Sequence, residues 1–182
     1  MATLEQIQRG AAYRASSFSR GAEATEELAS RLARSLRGGS RLLLSGELGA
    51  GKTCFARGFA RGLGIETGVQ SPSFVLEMRH PAGKRGLRFF HYDAYRLSGE
   101  EEWYALGFDE GPEPDTISLI EWPERLENAL RREDILILFH GGEAFGEREL
   151  ELFIPPDISE EEAMKLLSVW KGGEAEYENP LA

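Results

Sequence analysis

Lys52 stands at the turn of the stretch "GELGAGKT" (residues 46–53), which follows the apolar run "RLLLS" and precedes "CFARGFARGLG". The spacing fits G-x-x-x-x-G-K-[ST], and the residue types define what it can hold. Glycines at 46, 49 and 51 let successive backbone N–H groups wrap into one concave nest that side chains would obstruct. Anionic oxygens settle at the N-terminus of the helix that follows, where the dipole and free N–H groups favour negative charge. Lys52 adds a point charge for the outer phosphates, and the Thr53 hydroxyl offers an oxygen to magnesium. The stretch therefore predicts a site for a nucleoside triphosphate.

Chemistry on a triphosphate needs a further carboxylate beside the metal and a group that positions water. Two acids close apolar strands. Glu121 follows "ISLI", resembling the h-h-h-h-E pattern of a Walker B strand, and ligands gather at the carboxyl ends of strands in open α/β sheets. Asp93 closes "LRFFHYD", in which Leu87, Phe89, His91 and Asp93 share one strand face. Each acid taken alone also reads as a solvated strand end. The guanine-reading pattern N-K-x-D is absent, since neither Asn128 nor Asn179 precedes lysine, so ATP is preferred by elimination.

The elements that must position these groups follow from periodicity. From Thr25, "TEELASRLARSLRGG" sets Leu28, Leu32 and Leu36 on one helical face and stops at Gly38-Gly39. "RLLLS" reads as a buried parallel strand, and Phe55, Ala56, Phe59, Ala60 and Leu63 keep helical spacing until Gly64. "SFVLEMRH" and "GLRFFHYDAY" flank the turn "PAGKRG" as a hairpin. A short helix runs through "SGEEEWYALG" with Trp103 in the core, "ISLIEW" is a strand, a helix is expected near 123–131, and "ILILF" and "ELELFIP" are strands. The alternation predicts an α/β three-layer sandwich with a mostly parallel central sheet and helices on both faces. Pro155-Pro156 ends that body. Ser159 and Glu162 then form a capping box for a helix with Ala163, Leu166, Leu167 and Trp170 on one face. The expected organisation is one domain over 1–156 (core about 19–154) and a C-terminal helix with an acidic tail over 157–182.

Composition narrows the partners. The chain is 41% hydrophobic and 29% charged, with no run approaching the roughly 18 apolar residues of a membrane span. Its net charge is −10, and residues 157–182 carry −5 of that. Affinity for nucleic acid comes largely from Lys and Arg neutralising phosphates, so direct, unaided binding is disfavoured and a protein partner is expected. One cysteine, Cys54, and three scattered histidines leave no disulfide framework or metal cluster, which suggests a reducing, cytoplasmic location. "RGAAYRASSFSR" is Arg- and Ser-rich like some transit peptides, but reads better as a first strand.

Four blocks, "GELGAGKT", "VQSPSFVL", "HYDAYRL" and "LIEWPE", occur in order between about residues 19 and 154. Together they resemble the bacterial tRNA threonylcarbamoyladenosine biosynthesis ATPase TsaE (YjeE) family. The resemblance implies ATP bound by Gly46, Glu47, Leu48, Gly49, Ala50, Gly51, Lys52, Thr53 and Cys54, with magnesium on Thr53 and Glu121. It implies Asp93 beside the γ-phosphate, as a water-orienting or metal-side carboxylate, and Lys52, Asp93 and Glu121 as the catalytic set. Ser71 and Ser73 of "SPSF" would form a nucleotide-sensing loop. His91, Tyr95 and Arg96 would shape that region, and Trp122 would either pack or wall the nucleotide. Arg148 is the position from which a family arginine is thought to reach the nucleotide, with surface exposure as the simpler reading. Where the family usually has aspartate and threonine, this chain has Glu47 and Ser73, swaps that keep the functional group. The implied function is indirect: ATP hydrolysis would drive or reset a TsaB–TsaD heterodimer that threonylcarbamoylates adenosine 37 of tRNA, and tRNA would be met through that complex.

Two other classes fit the phosphate loop. A small-molecule kinase of the same fold would add an arginine-rich lid, for which Arg131-Arg132 is the one adjacent pair. A non-catalytic module gated by nucleotide would need only the ATP-bound shape.

Overall fold

Leu42, Leu43 and Leu44 are all fully buried, because β2 (Arg41–Gly46) lies inside a sheet covered on both faces. In the computed structural model, which describes residues 1–65, 76–126, 128–142 and 146–171, this strand pairs in parallel with β5 (Thr116–Glu121) and β6 (Ile135–Gly141). The sheet continues through β4 (Arg88–Asp93) and β3 (Glu77–His80) on one side, and β7 (Glu147–Ile154) and β1 (Tyr13–Arg20) on the other. Its order is β1-β7-β6-β2-β5-β4-β3.

The sheet is mixed, which corrects the expectation of a mostly parallel one. The four strands β6-β2-β5-β4 are parallel, whereas β1/β7, β6/β7 and β3/β4 are antiparallel. Connection length decides the last two of these, since a parallel return needs a crossover of about a dozen residues. Only residues 142–146 join β6 to β7, and residues 81–87 join β3 to β4, so each pair closes as a hairpin.

Alternation along the central strands sends Leu42, Leu44, Leu119 and Ile137 to one core and Leu43, Ile120 and Leu136 to the other. The first core takes α2 (Gly21–Ser35), α3 (Lys52–Gly62) and α5 (Glu160–Lys171). The second takes α1 (Leu4–Gly10) and α4 (Glu100–Ala105), with Trp103 1% exposed in its centre. Helix α5 docks through Trp170, whose indole N–H donates to the Ala15 carbonyl at 3.1 Å, and the Ser159 hydroxyl caps its start at the Glu162 amide.

Three local expectations shift. Helix α2 begins at Gly21 rather than Thr25, because the Thr25 hydroxyl turns back to the Gly21 carbonyl and to Ser19 instead of capping. The helix expected near 123–131 shrinks to a 3-10 turn at Pro123–Arg125, as Leu126 and Leu130 leave the helical path to bury beside α1, with Leu130 bridging Ala2. Helix α1 was unforeseen, although Thr3 and Gln6 form a complete capping box ahead of Ile7.

Candidate functional site

At the carboxyl end of β2 the chain makes two moves that a side chain would block. Gly46 has φ +153, and a Cβ there would lie 2.8 Å from the Phe139 Cβ. Gly51 has φ +106, caps α3, and would push a Cβ to 2.9 Å from the Arg148 Nε. Residues 47–51 can therefore wrap tightly between β6 and the tip of α3. Glu47, Leu48 and Gly49 stay exposed, with Leu48 at 81%.

Lys52 is not solvated, despite its place at a loop end. It is 4% exposed, and its ammonium donates to the carbonyls of Gly46 and Glu47, the latter at 2.9 Å. The Trp122 ring centroid lies 3.6 Å from the same nitrogen. Burial pulls the amine below the ordinary lysine value, against Glu121, Glu124 and Asp93, which pull it up.

The two strand-end acids are neighbours, because β4 and β5 run in parallel with Asp93 opposite Glu121. They are 3% and 2% exposed, which excludes the reading of both as solvated strand ends. Glu121 accepts from His91 Nε2 at 2.8 Å, and the Thr53 hydroxyl stands 3.4 Å from each of its carboxylate oxygens. That spacing exceeds a good O–H···O bond, so hydroxyl and carboxylate face one another as two hard oxygen ligands, a donor set that suits magnesium. His91 is completely buried and stacked on Phe89 at 5.7 Å, and its Nδ1 has no partner among the described residues. With the hydrogen on Nε2, His91 donates to Glu121 and fixes its direction, and the unpaired Nδ1 inside is an acceptor, the cheaper orphan. Asp93 caps the 3-10 turn Ala94–Arg96 through the Tyr95 amide at 3.0 Å.

A cavity of about 320 Å³ joins these groups, lined by residues 48–54 and by Arg57, Asp93, Glu121, Trp122 and Arg148. A second, of about 540 Å³, lies across the loop beside Phe139, His140 and Glu147. Arg148 borders both. It is half-buried rather than free at the surface, and its Nε donates to the Ala50 carbonyl at 2.8 Å, bracing the loop. Cys54 turns instead toward α2, its thiol 3.2 Å from the Ala22 carbonyl, and burial together with Glu26 pushes that thiol up, so it is no nucleophile. Tyr95 and Arg96 are exposed, with the Tyr95 ring packed on Trp122 at 4.8 Å. Ser71 and Ser73 lie outside the described residues. Arg131, the arginine of a hypothetical lid, is tied to the Asp109 carbonyl and capped by Asp134. Asp134 also pairs with Arg41 at the start of β2, the end of the strand opposite the loop. Arg57, one helical turn past Thr53, borders the cavity and was not foreseen; its i+4 spacing on α3 was the available signal.

Comparison with known proteins gives the family of the chain. A family model described as "Threonylcarbamoyl adenosine biosynthesis protein TsaE" matches residues 19–150. The tRNA threonylcarbamoyladenosine biosynthesis protein TsaE of Streptomyces coelicolor is 46% identical over 99 residues, covering 54% of this chain and 66% of that protein, just under two thirds of its length. The protein of the same name from Bacillus subtilis is 39% identical over 116 residues, 64% of this chain and 71% of its own. The solved crystal structure of Bacillus subtilis YdiB superposes with a TM-score of 0.66 at 30% identity, over 84% of this chain and 93% of that one. With the family model spanning most of the sequence, the chain belongs to the TsaE family of threonylcarbamoyladenosine biosynthesis proteins.

Proposed function

We propose that this chain is a magnesium-dependent P-loop ATPase that serves tRNA threonylcarbamoylation by acting on a TsaB–TsaD heterodimer in the cytoplasm. Membership of the TsaE family supports the pathway. The observation that carries the ATPase reading is the meeting of Lys52, Thr53, Glu121 and Asp93 around one cavity at the N-terminus of α3. Residues 46–54 cradle the phosphates through backbone N–H groups, and Lys52 neutralises the outer oxygens. Thr53 and Glu121 hold magnesium, which supplies charge neutralisation on the transferring phosphoryl group. Asp93, opposite Glu121, orients the attacking water, and Glu121 keeps its direction through His91. The acidic balance of the chain fits a protein that meets tRNA through its partners.

Calorimetric titration tests the nucleotide part. ATP with magnesium is expected to bind the wild type, and Lys52→Met to weaken it about 100-fold, because a charge-assisted contact to the phosphates is lost. Thr53→Ala is expected to abolish the benefit of magnesium while leaving magnesium-free binding intact. Unchanged binding in both variants would remove the assignment. Catalysis is separated from mere gating by Glu121→Ala: full support of threonylcarbamoylation by that variant would favour a non-catalytic module.

A further inference from the structure

The residue that closes the cavity over Lys52 is held there at a cost. Trp122 follows β5 with φ +61 and ψ +47, the left-handed region that β-carbon sterics disfavour. It also precedes Pro123, and a residue before proline is pushed toward extended backbone. Its amide nevertheless remains bonded to the Leu44 carbonyl at 3.2 Å, so the strand pins the turn and the strain is kept. What the strained turn accomplishes is specific: it lays the indole face 3.6 Å from the Lys52 nitrogen. An ammonium has three hydrogens to place. Two go to the Gly46 and Glu47 carbonyls, and the indole π face covers the amine from another side. The amine is thus fully satisfied from within the chain and 4% exposed. Its groups must be exchanged, not merely supplemented, when a phosphate arrives.

We propose that Trp122 is an aromatic latch on Lys52, and that a polyphosphate must displace the indole before it can engage the amine; this rests on reading residues 46–54 as the phosphate site. Displacement has a route outward. The Tyr95 ring lies on Trp122 at 4.8 Å and is 47% exposed, and Arg125 donates to the Tyr95 carbonyl at 3.3 Å. When the indole leaves Lys52, the turns at 94–96 and 123–125 lose one of the contacts that join them while the Arg125–Tyr95 bond remains, so occupancy of the cavity alters the surface beside it. The latch makes the empty state a competitor for the phosphates.

The test uses the full chain with inorganic tripolyphosphate, which has no base or ribose, and with ATP. Trp122→Leu keeps apolar bulk but removes the π face. The variant is expected to bind tripolyphosphate about ten-fold tighter than wild type, as release of a desolvated cation–π contact allows. Equal affinity, or weaker binding by the variant, would overturn the latch while leaving the phosphate site standing. No binding of either ligand by either protein would overturn the phosphate site and the latch together. A second measurement does not depend on how that variant folds. Trp103 and Trp170 are 1% and 0% exposed, so acrylamide quenching of wild-type emission reports mainly on Trp122. Saturating tripolyphosphate is expected to raise the accessible fraction. The change should vanish in Trp122→Phe, and an unaltered quenching curve in the wild type would contradict the latch.

Discussion

Glu121 receives its direction from His91 of β4 at 2.8 Å, and faces the Thr53 hydroxyl of α3 at 3.4 Å. His91→Phe keeps the stack on Phe89 but frees the carboxylate, and under the proposed function it is expected to lower kcat for ATP hydrolysis 10- to 100-fold with KM nearly constant, the usual cost of losing a group that orients a metal ligand. His91→Asn, which keeps an N–H donor, should recover part of the rate; equal loss in both variants would make His91 a packing residue only. Lys52 gives a second prediction. Its amine sits below the ordinary value of 10.5, so above that lowered pKa the free protein must take up a proton to bind phosphate. ATP affinity is therefore expected to decline with rising pH from below 10.5, and a flat profile up to that point would contradict the assigned contact. These roles were only partly legible in the residues. The meeting of Lys52, Thr53, Asp93 and Glu121 followed from their spacing and strand ends, whereas the burial of Lys52 depends on the conformation of Trp122, which no local pattern encodes. His91 reads equally as core or site until β4 and β5 are aligned.

Helix α3 can deliver its first turn to the cavity because its middle crosses α2 closely. A Cβ at Gly58 would lie 2.1 Å from the Glu26 carbonyl oxygen, and one at Gly62 2.4 Å from that of Ser30. Both glycines cost helix propensity and are kept for the approach they allow. Gly58→Ala is accordingly expected to destabilise the chain by about 1–3 kcal/mol, as overpacking does, and to lower the midpoint of thermal unfolding. A neutral or stabilised variant would show that the helices can separate without consequence. The elements carrying the site were the readable ones: β2, α3 and β5 have continuous apolar runs or strong helical periodicity. The segment after β5 was not, since "ERLENALRR" is rich in helix formers, yet its leucines are drawn to α1 and the Leu130 backbone bridges Ala2. Sheet direction at the margins was legible only through connection length. The short link between β6 and β7 already excluded a crossover.

At the scale of the molecule, the parallel centre of the sheet places the cavity at one end, and the antiparallel margins widen the platform around it. Arg148 of β7 reaches the loop from one margin, and Asp93 of β4 from the other side of β2. The C-terminal helix docks on the opposite edge strand through Trp170 and Ala15, so the body is completed by residues that follow Pro156. No helix among the described residues is long and apolar enough to cross a membrane. The net charge of −10 suits the proposed route to tRNA through a protein partner. The proposed function makes ATP turnover depend on a protein partner. The most direct measurement is magnesium-dependent ATP hydrolysis by the purified chain, alone and with a TsaB–TsaD pair from the same organism, for the wild type and for Glu121→Ala. The expected result is slow hydrolysis alone, stimulation of about ten-fold or more by the pair, and loss of that stimulation in the variant. Absence of both stimulation and complex formation, or stimulation that survives removal of Glu121, would contradict it.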